Sequence, residues 1–425
     1  MIPPLYDHQK KIISANKLKC GLFLGTGASK TRTALCMAEG KTLVICPKQQ
    51  REDKTWEREN VKWGTNVDIA VVSKEDLRKN WETLTRFDTV IIDECHNNLG
   101  VQPAYVYKRG VQIPKTSQIF DATKKFIQKT NPKRLYMLSA TPVPKPMSMW
   151  AIGTLLGYSW SFNDFRSTYY FESRIGGNRV IWVPKKDDGS KQKLALLVQS
   201  LGYTGSLNDF FDVPEQTHKV VKIDLTGEQK GAADMMSFVE ADPLVRRARL
   251  RTIENGVLYG KKVEALDSQT DEMTDKVTIY KDNKIPYILE RALEFPKLLI
   301  FANYTAQIEE IARSLRAEGY NVSTLTGATK DRSFIKTVDE SNSPHIIVAQ
   351  CSISSGYELP SFPCVIYASK SWRYVDYEQS LGRVLRSNKL KKNLYIHLVV
   401  DGCDGDCHKT IMSGQDFQEK LTLNI

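Results

Sequence analysis

Twice along this chain, short apolar runs rich in β-branched residues alternate with segments of helical pattern, and that rhythm restricts the fold more than any other feature. The first set lies at 21–24, 42–46, 69–72, 89–92 and 135–138. The second lies at 297–301, 322–325, 345–349, 365–368 and 394–398. Near-continuous apolar strands of this length, each followed by a helix, are buried on both faces and predict parallel sheets. The expected fold class is therefore α/β, with two tandem parallel-sheet domains at about 1–150 and 286–425. Residues 151–285 differ in texture, with aromatic clusters from Tyr158 to Phe171, a Gly/Lys/Asp-rich turn region and the basic stretch from Arg246 to Arg251. They are expected to form a mixed linker and insertion region. In open parallel sheets, ligands bind at the carboxyl ends of the strands, so the residues there come under scrutiny first.

After the first run comes Gly25-Thr26-Gly27-Ala28-Ser29-Lys30-Thr31 and then a helical pattern. A phosphate-binding loop needs a strand-to-helix turn with inward N–H groups, a lysine for the β/γ-phosphates and a hydroxyl for Mg²⁺. Lys30 and Thr31 supply the last two, and Arg32 is counted with them as nucleotide-binding. Ser29 departs from the pattern, which has glycine before the lysine. The competing reading is a glycine-rich turn that caps a helix. The run 89–92 leads into Asp93-Glu94-Cys95-His96. There Asp93 is suited to hold the metal and Glu94 to deprotonate the attacking water, where the plainer reading is a solvated acidic turn.

Asp93-Glu94-Cys95-His96, Leu138-Ser139-Ala140-Thr141-Pro142 and Gln379-Ser380-Leu381-Gly382-Arg383-Val384-Leu385-Arg386 resemble motifs II, III and VI of superfamily-2 helicases. The resemblance covers nearly the whole chain and implies RecA-like domains, ATP hydrolysis with Mg²⁺ and a nucleic-acid track. By it, Ser139 and Thr141 couple the ATP site to the track, Arg383 and Arg386 act as arginine fingers, and Gln379 contacts the γ-phosphate or its water. Leu5-Tyr6-Asp7-His8-Gln9 is similar to the adenine-reading segment, with Gln9 on the base edge and Tyr6 packed beside it. Gly356 and Glu358 are assigned to the nucleotide as well. Pro47, Lys48 and Ser73, with Asn303, Thr326, Gly327 and Ser352 in the second domain, match positions that touch the nucleic-acid backbone, although strand-end hydroxyls also serve as caps. Lys54-Thr55-Trp56-Glu57 with Glu59, Asp212-Val213-Pro214-Glu215-Gln216-Thr217, Leu225-Thr226-Gly227-Glu228-Gln229 and Leu250-Arg251-Thr252-Ile253 look similar to Swi/Snf-type translocases.

The rest of the composition agrees. A net charge of +11 suits a polyanionic partner, and the expected track is DNA, duplex, forked or branched, rather than RNA. The basic stretch from Arg246 to Arg251 is either a further backbone contact or a solvated helix face. No apolar run approaches the length of a membrane span, and the N-terminus lacks a secretory pattern, so a cytoplasmic, monomeric motor in a bacterium or phage-infected cell is expected. Eight cysteines without paired spacings fit reduced thiols. Cys403, Cys407 and His408 could contribute to a zinc site but read more readily as a loop. Two other classes stay open: a motor subunit serving a nuclease, for which no carboxylate-lysine cluster is found outside the motor motifs, and a nucleotide-binding module without turnover.

Overall fold

The structure, a computed structural model, describes residues 2–97, 99–108, 110–175, 179–260, 277–329, 331–353, 357–385 and 392–419. It divides into two compact units, Met1–Asp212 and Val213–Gln415. The first contains β1 (Lys19–Leu24), β2 (Thr42–Cys46), β3 (Ile69–Ser73), β4 (Thr89–Ile92), β5 (Val101–Lys108), β6 (Val111–Thr116), β7 (Arg134–Leu138), β8 (Tyr170–Ile175), β9 (Arg179–Pro184) and β10 (Gly202–Gly205). The second contains β11 (Gln216–Lys222), β12 (Val257–Tyr259), β13 (Val277–Ile279), β14 (Lys297–Ala302), β15 (Val322–Leu325), β16 (His345–Gln350), β17 (Cys364–Tyr367) and β18 (Asn393–Val399).

Each unit is built on a six-stranded, all-parallel sheet, in the order β10-β1-β7-β4-β2-β3 and β11-β18-β17-β14-β16-β15. These are the two parallel-sheet domains anticipated from the strand rhythm, in keeping with the RecA-like folds that the resemblance implies. All ten anticipated strands lie in these sheets, and β10 and β11 extend them. β10 pairs with β1, and β11 pairs with β18. The stretch read as a linker region is thus divided between the units near Asp212.

The apolar runs are continuous because both faces of each sheet are covered. Successive residues of β14 show it: Leu298 and Ile300 pack with Ile308, Ile311 and Leu315, whereas Leu299 and Phe301 pack with Tyr377, Val384 and Ile411. In the first unit, Leu43, Ile45, Val90, Ile92, Leu135 and Met137 pack with Phe120, Phe126 and Trp150. Each such side chain contributes roughly 1.5–3 kcal/mol by leaving water. No helix among the described residues is long and apolar enough to cross a membrane.

The second core also holds a stack of histidine and tyrosine rings. His397 on β18 lies parallel to Tyr367 at 5.1 Å, and its Nε2 is 3.1 Å from Nδ1 of His218. His408 and Tyr377 flank it at 5.4 and 5.9 Å. Burial, reinforced by Lys370 and the other two histidines, holds the His397 imidazole down to about 2. The folded state therefore keeps this ring neutral, while the unfolded chain takes up a proton near pH 6.5. That stability is present above pH 6.5 and is lost as pH falls from there toward 2. The expected slope approaches about 1.4 kcal/mol per pH unit below 6. Urea midpoints of wild type and His397→Phe between pH 7 and 5 check this: the variant should lose the slope of about one proton, whatever its absolute stability.

Candidate functional site

Apart from Tyr6 and Gln9, which lie at the start of the helix Asp7–Ser14, the first-unit site residues singled out in the sequence lie at or just after the carboxyl ends of β1, β2, β3, β4 and β7. β1 runs into the phosphate-type loop. A Cβ on Gly25 would lie a tight 3.0 Å from the Leu207 backbone nitrogen, and Gly27 has φ 83°, so both positions favour glycine. The turn closes with Ala28 N–H donating to the Gly25 carbonyl at 3.1 Å. Lys30 Nζ donates to the carbonyls of Leu24 and Gly25 at 2.8 and 3.0 Å, which tethers its ammonium to the loop.

Ser29 adopts φ 57°, ψ 34°, the left-handed conformation, at the N-cap of the helix Lys30–Met37, and its side chain makes no capping bond there. The turn thus has the backbone of the usual glycine while carrying a β-carbon. Left-handed φ costs an L-residue about 1–2 kcal/mol. Ser29→Gly is expected to raise stability by about 1 kcal/mol, seen as a higher urea midpoint. An unchanged or lower midpoint would mean that the turn is not strained.

Across β7, the end of β4 presents the acidic pair. Asp93 is buried, and its Oδ1 accepts the Glu94 N–H at 2.9 Å. Burial, then the neighbouring Glu94, pushes its carboxyl up to about 6, against the pull of Lys30 and Lys74. Glu94 is itself left-handed, at φ 46°. Its carbonyl accepts from Lys74 Nζ at 2.6 Å, and the same ammonium reaches the Asn97 carbonyl at 3.0 Å. Lys74 is 1% exposed, and burial pushes its pKa below the ordinary lysine value. It pins a backbone conformation that a glutamate would otherwise avoid. Nothing in the sequence pattern distinguished Lys74 from a surface lysine after a strand.

His96 joins this turn to the end of β7. Its Nδ1 lies 2.7 Å from Ser139 Oγ and 3.4 Å from Glu94 Oε2, and Ser139 Oγ accepts the Thr141 N–H at 3.0 Å. A continuous polar path therefore connects Glu94 to the two residues expected to couple the site. Thr141 is 1% exposed, and its hydroxyl has no partner among the described residues.

Other expected residues take different surroundings. Gln9 is fully buried, its amide donating to Thr33 Oγ1 at 3.2 Å and accepting the Tyr6 N–H at 3.0 Å. It therefore fastens the first helix to the helix after the loop. Tyr6 is 37% exposed and sits in a ring cluster with His8, Phe210 and Phe211, whose centroids lie 4.2–5.8 Å apart. Phe210 and Phe211 carried no signal in the sequence because they lie within the stretch read as a linker region. Arg32 donates to the carbonyls of Pro3 and Pro4 and lies over Trp63 at 4.3 Å, which ties down the N-terminal segment. Ser73 is buried as a helix cap that accepts the Asp76 N–H at 3.0 Å. Pro47 is the N-cap of the helix Lys48–Glu52, and Lys48 is exposed beside Glu52.

In the second unit, Gln379 and Arg383 lie on the helix Tyr374–Val384. Arg383 donates from Nε to the Gln379 carbonyl at 3.0 Å and from its guanidinium to the Tyr357 carbonyl at 2.7 Å. The helix thereby grips the segment in which Glu358 is exposed. Arg386 and Gly356 lie outside the described residues. Asn303, Thr326, Gly327 and Ser352 follow the carboxyl ends of β14, β15 and β16, with Gly327 and Ser352 exposed. Thr326 accepts the Ala328 N–H in a local turn.

The basic stretch has internal partners. Arg247 pairs with Asp406 at 2.7 Å and Arg249 with Glu240 at 3.2 Å, while Arg246 donates to the Ser237 carbonyl at 3.3 Å. Arg251 is buried against the Lys370 carbonyl and Cys407 Sγ. Gln229 donates to the Ile253 carbonyl at 2.9 Å, which brings together two of the Swi/Snf-like segments. Among the described residues, no group of three or more His, Cys, Asp or Glu side chains is gathered as a metal site, Cys403, Cys407 and His408 included.

Residues 280–388 match the helicase conserved C-terminal domain. The chain's curated relatives include the pre-mRNA-splicing ATP-dependent RNA helicase prp28 of Schizosaccharomyces pombe, 24% identical over 31% of this chain and 20% of that protein. Another is the human Probable ATP-dependent RNA helicase DDX23, 26% identical over 42% of this chain and 22% of that protein. The matches thus span about a fifth of the length of these relatives. Among solved structures, the Pyrococcus furiosus Hef helicase domain aligns over 96% of this chain and 98% of its own, with 12% identity and a TM-score of 0.52, a likeness of fold.

Proposed function

We propose that this protein is a superfamily-2, nucleic-acid-stimulated ATPase that converts ATP hydrolysis into movement on duplex or branched DNA. The observation that carries the reading is the convergence of Lys30, Asp93 and Glu94 at one sheet edge, with His96 linking Glu94 to Ser139 and Thr141. In this reading the loop N–H groups and Lys30 hold the phosphates, and Glu94 takes the proton of the attacking water. Asp93 and Thr31 offer oxygen donors only, the chemistry Mg²⁺ prefers, and a buried carboxylate pushed up to about 6 is one that a divalent cation would stabilise. Those residues would hold Mg²⁺, which offsets phosphate charge when bound. Gln379, Arg383 and Arg386 are proposed to act on the γ-phosphate in phosphoryl transfer, the two arginines by offsetting its charge.

The basic net charge of +11 suits either nucleic acid, and the preference for DNA rests on the Swi/Snf-like segments. RNA is the second reading, favoured by the names of the two curated relatives. ATP turnover with single-stranded, duplex, forked and four-way DNA, and with RNA, at 50 and 200 mM salt separates them. The expected result is stimulation by duplex or branched DNA that falls steeply with salt. Stimulation by RNA alone would transfer the assignment to the second reading. No stimulation by any nucleic acid would leave an ATP-dependent switch or a partner-driven motor subunit.

A further inference from the structure

Two antiparallel hairpins of the first unit, β5–β6 and β8–β9, belong to neither parallel sheet and play no part in the nucleotide site. They are drawn together by one side chain. The Arg166 guanidinium lies over Tyr105 of β5 at 4.7 Å and over Trp182 of β9 at 4.0 Å, with Phe162 beneath at 5.6 Å. Tyr105 also hydrogen-bonds Asn163, so the first hairpin is anchored to the helix that carries Arg166.

Strand alternation then decides which residues extend this face toward the hairpin ends. On β5 it is Tyr107, two residues beyond Tyr105, and it is 77% exposed. On the second hairpin, Trp182 pairs with Glu172, and two residues farther out Arg174 pairs with Val180. The Arg174 side chain is 68% exposed, with its Nε 3.6 Å from Glu172 Oε1 in a solvent-exposed ion pair that a phosphate could displace, and Val180 is also exposed. The sequence around both hairpins is basic. Residues 97–120 contain Lys108, Arg109 and Lys115 and no acidic residue, and residues 166–186 contain five basic side chains against Glu172 alone. Together the two segments account for more than half of the net charge of +11.

An exposed aromatic ring on one hairpin and an exposed arginine on the other, in basic sequence and on hairpins joined by Arg166, have the chemistry that holds unpaired nucleobases: the ring stacks on any base, and the guanidinium takes a phosphate. We propose that the paired hairpins are an accessory site for single-stranded nucleic acid, with Tyr107 as the stacking platform, Arg174 as the phosphate contact and Arg166 as the positioning residue beneath them. The assignment rests on the reading of the chain as a nucleic-acid motor and adds to it a place for a strand that is not base-paired.

The test uses the full chain and the fluorescence anisotropy of a labelled oligothymidylate and of a blunt duplex of equal length. Tyr107→Ala is expected to weaken single-strand binding about fivefold to a hundredfold. Tyr107→Trp should retain it, and Arg174→Ala should lower the salt dependence by about one phosphate contact. Duplex affinity and ATP turnover without nucleic acid should not change, because neither side chain lies at the nucleotide site. Equal losses on single strand and duplex, or no loss on either, overturn the assignment. That includes the case in which Tyr107 instead docks a protein. A wild-type chain that binds neither oligonucleotide overturns the motor reading together with this one, whereas tight wild-type binding unaffected by the substitutions overturns this one alone.

Discussion

Glu94→Gln is expected to lower kcat for ATP hydrolysis by about 10²–10⁴-fold while leaving nucleotide binding and the fold intact. The substitution is isosteric, removes the carboxylate proposed as the base and keeps an oxygen or amide group near His96, whose Nδ1 lies 3.4 Å from Glu94 Oε2. The backbone of residue 94 should keep its left-handed conformation, because Lys74 and the Asp93 carboxylate hold its carbonyl and its N–H. Single-turnover hydrolysis and binding of a fluorescent ATP analogue separate the two effects. A variant that hydrolyses ATP at the wild-type rate would remove Glu94 from the role of base. One that loses binding and turnover together would show that Glu94 maintains the site and does not act in it. Lys74→Met provides the contrast: it leaves the Glu94 carboxylate in place but frees its backbone, so it should lower kcat and stability together.

Elements were legible in the sequence where burial on two faces leaves an unbroken apolar run, as in all ten anticipated strands of the two sheets. β10 and β11 were not legible, for opposite reasons. β10 is Gly-Tyr-Thr-Gly, and its glycines permit close approach to β1: a Cβ on Gly202 would meet the Gly21 carbonyl oxygen at 2.2 Å. β11 lies at a sheet edge with mostly exposed side chains, so it carries no apolar signature. The hairpins β5–β6 and β8–β9 were hidden because they pack on helices through single rings and one arginine, which leaves no periodic pattern. The phosphate-type loop and the acidic pair were legible as ordered motifs at strand ends. Gln9, Arg32 and Ser73 show the limit of that reading: residue type and position matched a ligand role, while the hydrogen bonds seen in the structure are internal. Buried charge was the least legible feature, because a lysine or arginine in a sequence reads as solvated until its partners, often more than a hundred residues away, are known.

Lys284 shows how much of the second unit depends on such partners. It opens the helix Lys284–Glu294, is fully buried, and donates from Nζ to Asn255 Oδ1 at 2.6 Å, the Ala368 carbonyl at 2.8 Å and Asp404 Oδ2 at 3.3 Å. Burial alone would push the Asp404 carboxyl up, but Lys284, Lys370 and the Val400 N–H outweigh it and hold the group below its ordinary value. Glu254 accepts the N–H groups of Cys403 and Asp404 at 3.0 and 2.7 Å, so it caps the final helix that carries Asp404. Lys284→Met is therefore expected to destabilise the second unit by about 3–5 kcal/mol, since it leaves a buried carboxylate without its main counter-charge. Asp404→Leu should cost a similar amount for the mirrored reason. The double variant Lys284→Met/Asp404→Leu should cost clearly less than the two single losses added together. Urea denaturation of the four proteins reads the cycle, and strict additivity would show that the pair does not act as a unit. Lys284 lies inside the matched helicase C-terminal domain, residues 280–388, whereas Asn255 and Asp404 lie outside it. A fragment cut to the matched residues would leave Lys284 buried without either of them, so folding of this domain requires the flanking segments on both sides.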